Sequence, residues 1–191
     1  DISQWREMTV DLTITPQDVS ISNVRQILFA GGKWVGNYIS PELEVPEAHR
    51  AVLMQVGAYA RDHGHVADEG INCGIDYFVS GDEVIVTEIN ARWTGGLFPA
   101  EFLRRLAITQ PAVAFFDMVP VAQSKAVQTF QREHLFPAAG DAFAYVPMGF
   151  TPFAMEIEGA ERYFVWQIVV GDFAAFVEAK RQTLPEDTFP L

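Results

Sequence analysis

DYFVSGDEVIVTEINARWTGG, residues Asp76 to Gly96, decides how this chain is read. Two runs of alternating apolar and polar residues flank Gly81, Asp82 and Glu83, and alternation with period two marks strands that lay one face on a core. Residues two apart share a face, so Glu88 and Asn90 project to one side and Ile89 and Ala91 to the other. A three-residue loop at 81–83 places Asp76 opposite Glu88 on that same face. A two-residue loop would slip the register and turn Asp76 away. Of the three oxygen donors, Asp76 therefore depends most on the turn.

Two carboxylates and an amide oxygen, open on one side, suit Mg²⁺, which keeps several waters and takes further oxygens from a substrate phosphate. Arg92 is the next position on the face of Glu88 and Asn90, and its planar, permanently charged fork suits phosphate or carboxylate. Plainer readings stand beside these. Read alone, Glu88 and Asn90 are solvent-facing positions of an ordinary hairpin. Arg92 is equally a structural partner for Glu88 or Asp76, and Gly95 and Gly96 equally serve only to turn the chain into a helix. The presence of all four polar residues in one hairpin favours the site.

At these residues the sequence resembles the ATP-grasp superfamily. Gly74-Ile-Asp76, a hairpin, Glu88-Ile-Asn90-Ala-Arg92 and then Gly95-Gly96 follow the pattern of that superfamily's carboxy-terminal lobe. The resemblance spans about residues 7 to 107. It continues upstream in weaker form, where Gln26 to Gly32 is similar to a Gln-x-x-x-x-Gly-Gly region of ATP-grasp peptide ligases. What it implies is an ATP- and Mg²⁺-dependent carboxylate–amine ligase that passes an activated acyl phosphate to an amine. It further implies metal ligands at Glu88 and Asn90, with Asn90 also at the cofactor, and a catalytic, cofactor-contacting role for Arg92 on phosphate or substrate; the hairpin reading adds Asp76 as a metal ligand, and the position of Lys33 after two glycines adds a cofactor contact there. An ATP-grasp kinase or carboxylase, or a non-catalytic binding or scaffold domain, would carry the same lobe.

Outward from the hairpin, residues 7–14 and 19–30 read as antiparallel strands around a Pro16-Gln17-Asp18 turn, and 33–39 as a third strand. Lys33 follows two glycines and is placed to reach an acyl phosphate. Residues 46–62 read as an amphipathic helix opened by Pro46, with Val52, Val56 and Tyr59 on its apolar face. Helical spacing returns at 98–106 and continues on and off from Ala112 to His134, interrupted by Pro120. Strands are expected at 142–149, 154–157 and 163–170, and Asp172 caps a final helix to about Gln182. The fold class expected is α+β, an antiparallel sheet backed by helices, with a metal- and phosphate-binding lobe at 1–110 and a carboxy-terminal extension at 111–191.

Composition is consistent with this. With 191 residues, 49% hydrophobic, the chain can bury a substantial core. No apolar run approaches the roughly 20 residues of a membrane helix, and the first residues lack a signal-peptide pattern; the expectation is a cytoplasmic enzyme without a membrane partner. A formal charge of −12 with only 13 Lys and Arg argues against a nucleic-acid surface. The lone Cys73 falls on the apolar side of its strand and reads as buried filler. The histidines form no catalytic constellation, and His49 and His134 are expected at the surface. The chain starts without Met and shows neither a glycine-rich lid nor a Walker-type motif. The expectation is part of a longer polypeptide, whose amino-terminal and lid portions would be its partners at the nucleotide.

Overall fold

The computed structural model describes residues 4–30, 32–157 and 159–184, without the side chains of Ala30 and Lys33. The chain divides into two compact units, residues 1–27 with 39–109, and residues 28–38 with 110–191. Antiparallel strands and, among the described residues, four α-helices make the class α+β.

In the first unit, β1 (Arg6–Ile14) turns at Thr15 to Asp18 into β2 (Val19–Ala30), which runs on into the second unit from Leu28. The Thr15 amide donates to the Asp18 carbonyl at 2.9 Å and the Asp18 amide to Thr15 Oγ1 at 3.0 Å, closing that turn. After β3 (Lys33–Ile39) come α1 (Glu47–Asp62), β4 (Ile71–Ser80), β5 (Glu83–Asn90) and α2 (Leu97–Arg105). The strands of this unit stand in the order β5, β4, β1, β2, every neighbour antiparallel. Alternate residues Met8, Val10, Leu12 and Ile14 of β1 and Cys73, Ile75, Tyr77 and Val79 of β4 form the buried face.

Helix α1 covers that face with His49, Leu53, Gly57 and Ala60. The sequence pointed to Val52, Val56 and Tyr59, of which Val56 packs at the core's margin and Tyr59 is 57% exposed. Gly57 explains the rotation: a Cβ there would lie 2.5 Å from Val19 Cγ1 and 2.7 Å from Leu12 Cδ1, so the bare backbone lets the helix press onto the sheet along this stripe. His49 is thereby buried rather than at the surface, and its Nε2 donates to the Gly81 carbonyl at 2.8 Å, tying the helix to the β4–β5 turn.

In the second unit β3 is followed by β6 (Ala112–Pro120), a short 3-10 turn at Val121–Gln123, α3 (Ser124–Glu133), β7 (Phe143–Phe150), β8 (Met155–Ile157), β9 (Ala160–Gly171) and α4 (Phe173–Thr183). Strands stand in the order β3, β6, β9, β7, with β8 on β9. Residues 112–120, expected to be helical, are a strand. Their apolar run is too short for its periodicity to separate strand from helix, and nine paired positions with β9 decide it, with Pro120 ending the strand. Phe115, Phe130, Phe143, Tyr145 and Phe176 form the aromatic core. Asp172 caps α4 as expected, accepting from the amides of Ala174 and Ala175 at 2.9 and 3.1 Å.

Candidate functional site

The face of the first unit's sheet opposite its core carries the polar residues, and the register arranges them in two rows. Arg25, Thr9, Asp76 and Glu88 are successive cross-strand partners from β2 to β5; Asn23, Asp11, Gly74 and Asn90 form the row beside them. Asp76 therefore stands directly opposite Glu88, with Asn90 on the same face. The route to this pairing differs from the one the sequence suggested. Ser80 pairs with Glu83, so the loop is the two residues Gly81 and Asp82. Gly81, at φ +58°, takes the first central position, as type II′ turns require. The register that such a loop would spoil is restored further along, where Tyr77 pairs with Val86 and Asp76 with Glu88, leaving Thr87 as a bulge. The Thr87 hydroxyl donates to the Asp76 carbonyl at 2.9 Å and holds the bulge.

Beside Asp76 and Asn90, in the same two rows, lies a network that the motif reading missed. Asp11 and Arg25, both fully buried, form an ion pair at 2.6 Å. Asn72 Nδ2 and Thr94 Oγ1 donate to Asp11 Oδ1 at 3.0 and 2.9 Å, and Arg25 donates to Thr94 Oγ1 at 3.1 Å and to Asn23 Oδ1. The contact joins Arg25 Nη2 to Asp11 Oδ2, while Arg25 Nε has no hydrogen-bond partner among the described residues. Burial pushes the Arg25 guanidinium down, and Asp11 opposes that shift. Gly74 makes room for the network: a Cβ there would lie 2.1 Å from Thr94 Cγ2. One signal was legible, because Asp11 interrupts Val10 and Leu12 at the polar parity of β1; its partner on another strand was not.

Burial, first, and the charges of Glu88 and Asp11 push the Asp76 carboxyl above its ordinary range, while the Thr9 hydroxyl and Arg25 oppose. Glu7, also on this face, is raised by burial and by Asp76. Asn90 Nδ2 donates to Asp76 Oδ2 at 3.2 Å; a half-turn of the amide offers Oδ1 instead.

Arg92 does not share the strand face. β5 ends at Asn90, whose carbonyl accepts the Arg92 amide at 2.7 Å in a tight turn, and the exposed Arg92 side chain donates to the Trp93 carbonyl at 3.4 Å. The Arg92 carbonyl accepts from Asn72, which fixes this turn to the buried network. Gly96 precedes α2 with ordinary helical angles and Gly95 is exposed. Lys33 opens β3, and its side chain lies outside the described residues. Among the described residues, no group of three or more His, Cys, Asp or Glu side chains is placed to hold a metal ion. Cys73 is fully buried and its thiol is pushed up by burial and by Asp11, as inert filler requires.

The sequence matches no family model and no curated protein. Its fold does match solved structures. The phosphoribosylaminoimidazole carboxylase ATPase subunit from Aquifex aeolicus superposes with a TM-score of 0.55 at 9% identity, over 94% of this chain and 56% of that one. That likeness is one of fold, antiparallel strands backed by helices. A second solved structure, the ADP complex of N5-carboxyaminoimidazole ribonucleotide synthetase, matches with a TM-score of 0.53 at 10% identity, over 93% of this chain and 48% of that one. The chain thus spans about half the length of these solved structures. No described helix is long and apolar enough to cross a membrane.

Proposed function

We propose that this chain supplies the metal- and phosphate-binding half of an ATP- and Mg²⁺-dependent carboxylate–amine ligase that works through an acyl phosphate, the other half coming from amino-terminal and lid portions of the same protein. The observation that carries this reading is the direct cross-strand pairing of Asp76 with Glu88. Like charges placed opposite one another destabilise a sheet, and here one of them is also partly buried, so the pair gains when a cation shares it. Two carboxylates and the Asn90 amide form an incomplete oxygen set, which fits Mg²⁺ brought in with a nucleotide. The ion would supply neutralisation of charge on the phosphoryl oxygens.

The chain's own residues do the positioning. Asp76, Glu88 and Asn90 hold their oxygens on one sheet face, and the Asp11–Arg25–Thr94–Asn72 network on the neighbouring strands of that face braces them. Arg92, exposed just beyond β5, is free to meet a phosphoryl or carboxylate group, and Lys33 is assigned the same kind of contact. Holding the nucleophile and phosphate in place accounts for much of the rate in such transfers, and no covalent nucleophile is needed. The resemblance to the ATP-grasp superfamily and the likeness of fold support a nucleotide site, and the convergence of three oxygen donors on one face favours an enzyme over a scaffold.

Manganese binding, read by electron paramagnetic resonance, tests the metal assignment on the chain itself. The wild type should bind Mn²⁺ and release it to excess Mg²⁺, and Glu88→Gln and Asp76→Asn should each weaken binding at least tenfold. Unchanged binding in both would remove the site from this face. In the polypeptide that includes the remaining lobes, ADP release should require both a carboxylate and an amine, and Glu88→Gln should abolish it while leaving the fold intact.

A further inference from the structure

A cavity of about 510 Å³ lies in the second unit between α3 and the sheet. Val119 of β6, Tyr145 and Pro147 of β7, and Tyr163 and Val165 of β9 line it, and the register puts all five on one face. The opposite wall is a stripe of α3 at helical spacing, Val127, Gln128, Gln131 and Arg132. Leu135 and Phe150, 46% and 75% exposed, carry the apolar lining out to the surface. The size is that of a small-ligand pocket, and so is the make-up of apolar walls with a few polar groups gathered at one side.

Charge narrows the ligand. The chain has 25 Asp and Glu against 13 Lys and Arg, yet among the described residues the lining contains no carboxylate and one cation, Arg132. Asp117 shares the sheet face but is fully buried, bound to Lys180 Nζ at 2.8 Å and to Gln167 Nε2 at 3.1 Å. Gln131 Nε2 is committed to Gln167 Oε1 at 2.7 Å and the Ser124 hydroxyl to the Val121 carbonyl at 2.8 Å. The exposed side chains of Gln128 and Arg132 remain as donors toward the surface, while deeper in, the Tyr145 hydroxyl lies buried without a hydrogen-bond partner among the described residues.

We propose that this cavity binds a small amphipathic anion, its aromatic or branched aliphatic body between α3 and the sheet and its acidic group at Arg132 and Gln128. The site lies wholly within the second unit and does not rest on the nucleotide reading. The test uses two fluorescent probes of similar shape, anilinonaphthalene sulfonate and neutral N-phenyl-1-naphthylamine, titrated into the 191-residue chain. Arg132→Glu should weaken the sulfonate at least tenfold and the neutral amine less than twofold. Gln128→Trp, which sets an indole across the opening, should weaken both. These positions are exposed, so the fold should survive, and circular dichroism checks it. No binding to the wild type, or equal sulfonate affinity in all three proteins, would overturn the site. Equal loss of both probes in Arg132→Glu would overturn the anion assignment.

Discussion

Arg25→Met should unravel the polar side of the first unit more than any surface change could. The substitution keeps most of the side-chain volume but removes the ion pair to Asp11 and the hydrogen bonds to Thr94 and Asn23. Asp11 remains fully buried, its charge met only by Asn72 and Thr94. Breaking one side of a buried pair costs about 3–5 kcal/mol, because the surviving charge has lost water without compensation. That is a large part of the roughly 5–15 kcal/mol that holds a domain together. Asp11→Asn should cost a similar amount by stranding Arg25. The double variant Asp11→Asn/Arg25→Met removes both charges, and should cost less than the sum of the singles by about 2–3 kcal/mol. Hydrogen exchange of β1 and β4 peptides, read by mass spectrometry, measures this, with β6 and β9 of the second unit as internal control. A loss under about 1 kcal/mol in Arg25→Met, or additivity within about 0.5 kcal/mol, would refute the reasoning.

The raised Asp76 pKa has a sign that can be checked. The native state holds this proton more tightly than the unfolded chain, so Asp76 lowers stability as pH rises from about 4, the ordinary Asp value, through its higher folded pKa. Asp76→Asn should flatten that fall in urea titrations of the first unit, and an unchanged pH slope would contradict the assignment. Gly74→Ala should cost about 1–3 kcal/mol by driving Thr94 out of its place. Since the clash is with Cγ2, adding Thr94→Ser should recover much of the loss in thermal melts, and no recovery would argue against Thr94 as the obstacle. Asp172→Ala, which removes an acceptor for two amides of α4, should cost about 1 kcal/mol, seen as faster exchange confined to that helix's first turn.

The sequence alone determined the strands of the first unit, its helices, the apolar position of Cys73 and the common face of Glu88 and Asn90. Those are local consequences of period and capping, written within a few residues of one another. Tertiary structure decided what depends on partners distant in the chain. Residues 112–120 became a strand because β9 was there to pair with them. Asp11 and Arg25 became a buried pair because the β1–β2 register set their rows side by side. Asp76 came to face Glu88 through a two-residue loop and a compensating bulge at Thr87, not through the longer loop that the sequence suggested. A bulge leaves no mark in the alternation until the partner strand is known, because an extra residue is absorbed only where two ladders meet. Arg92 left the face of Asn90 for a related reason: period-two parity holds only while the strand continues, and where pairing stops is a property of the sheet.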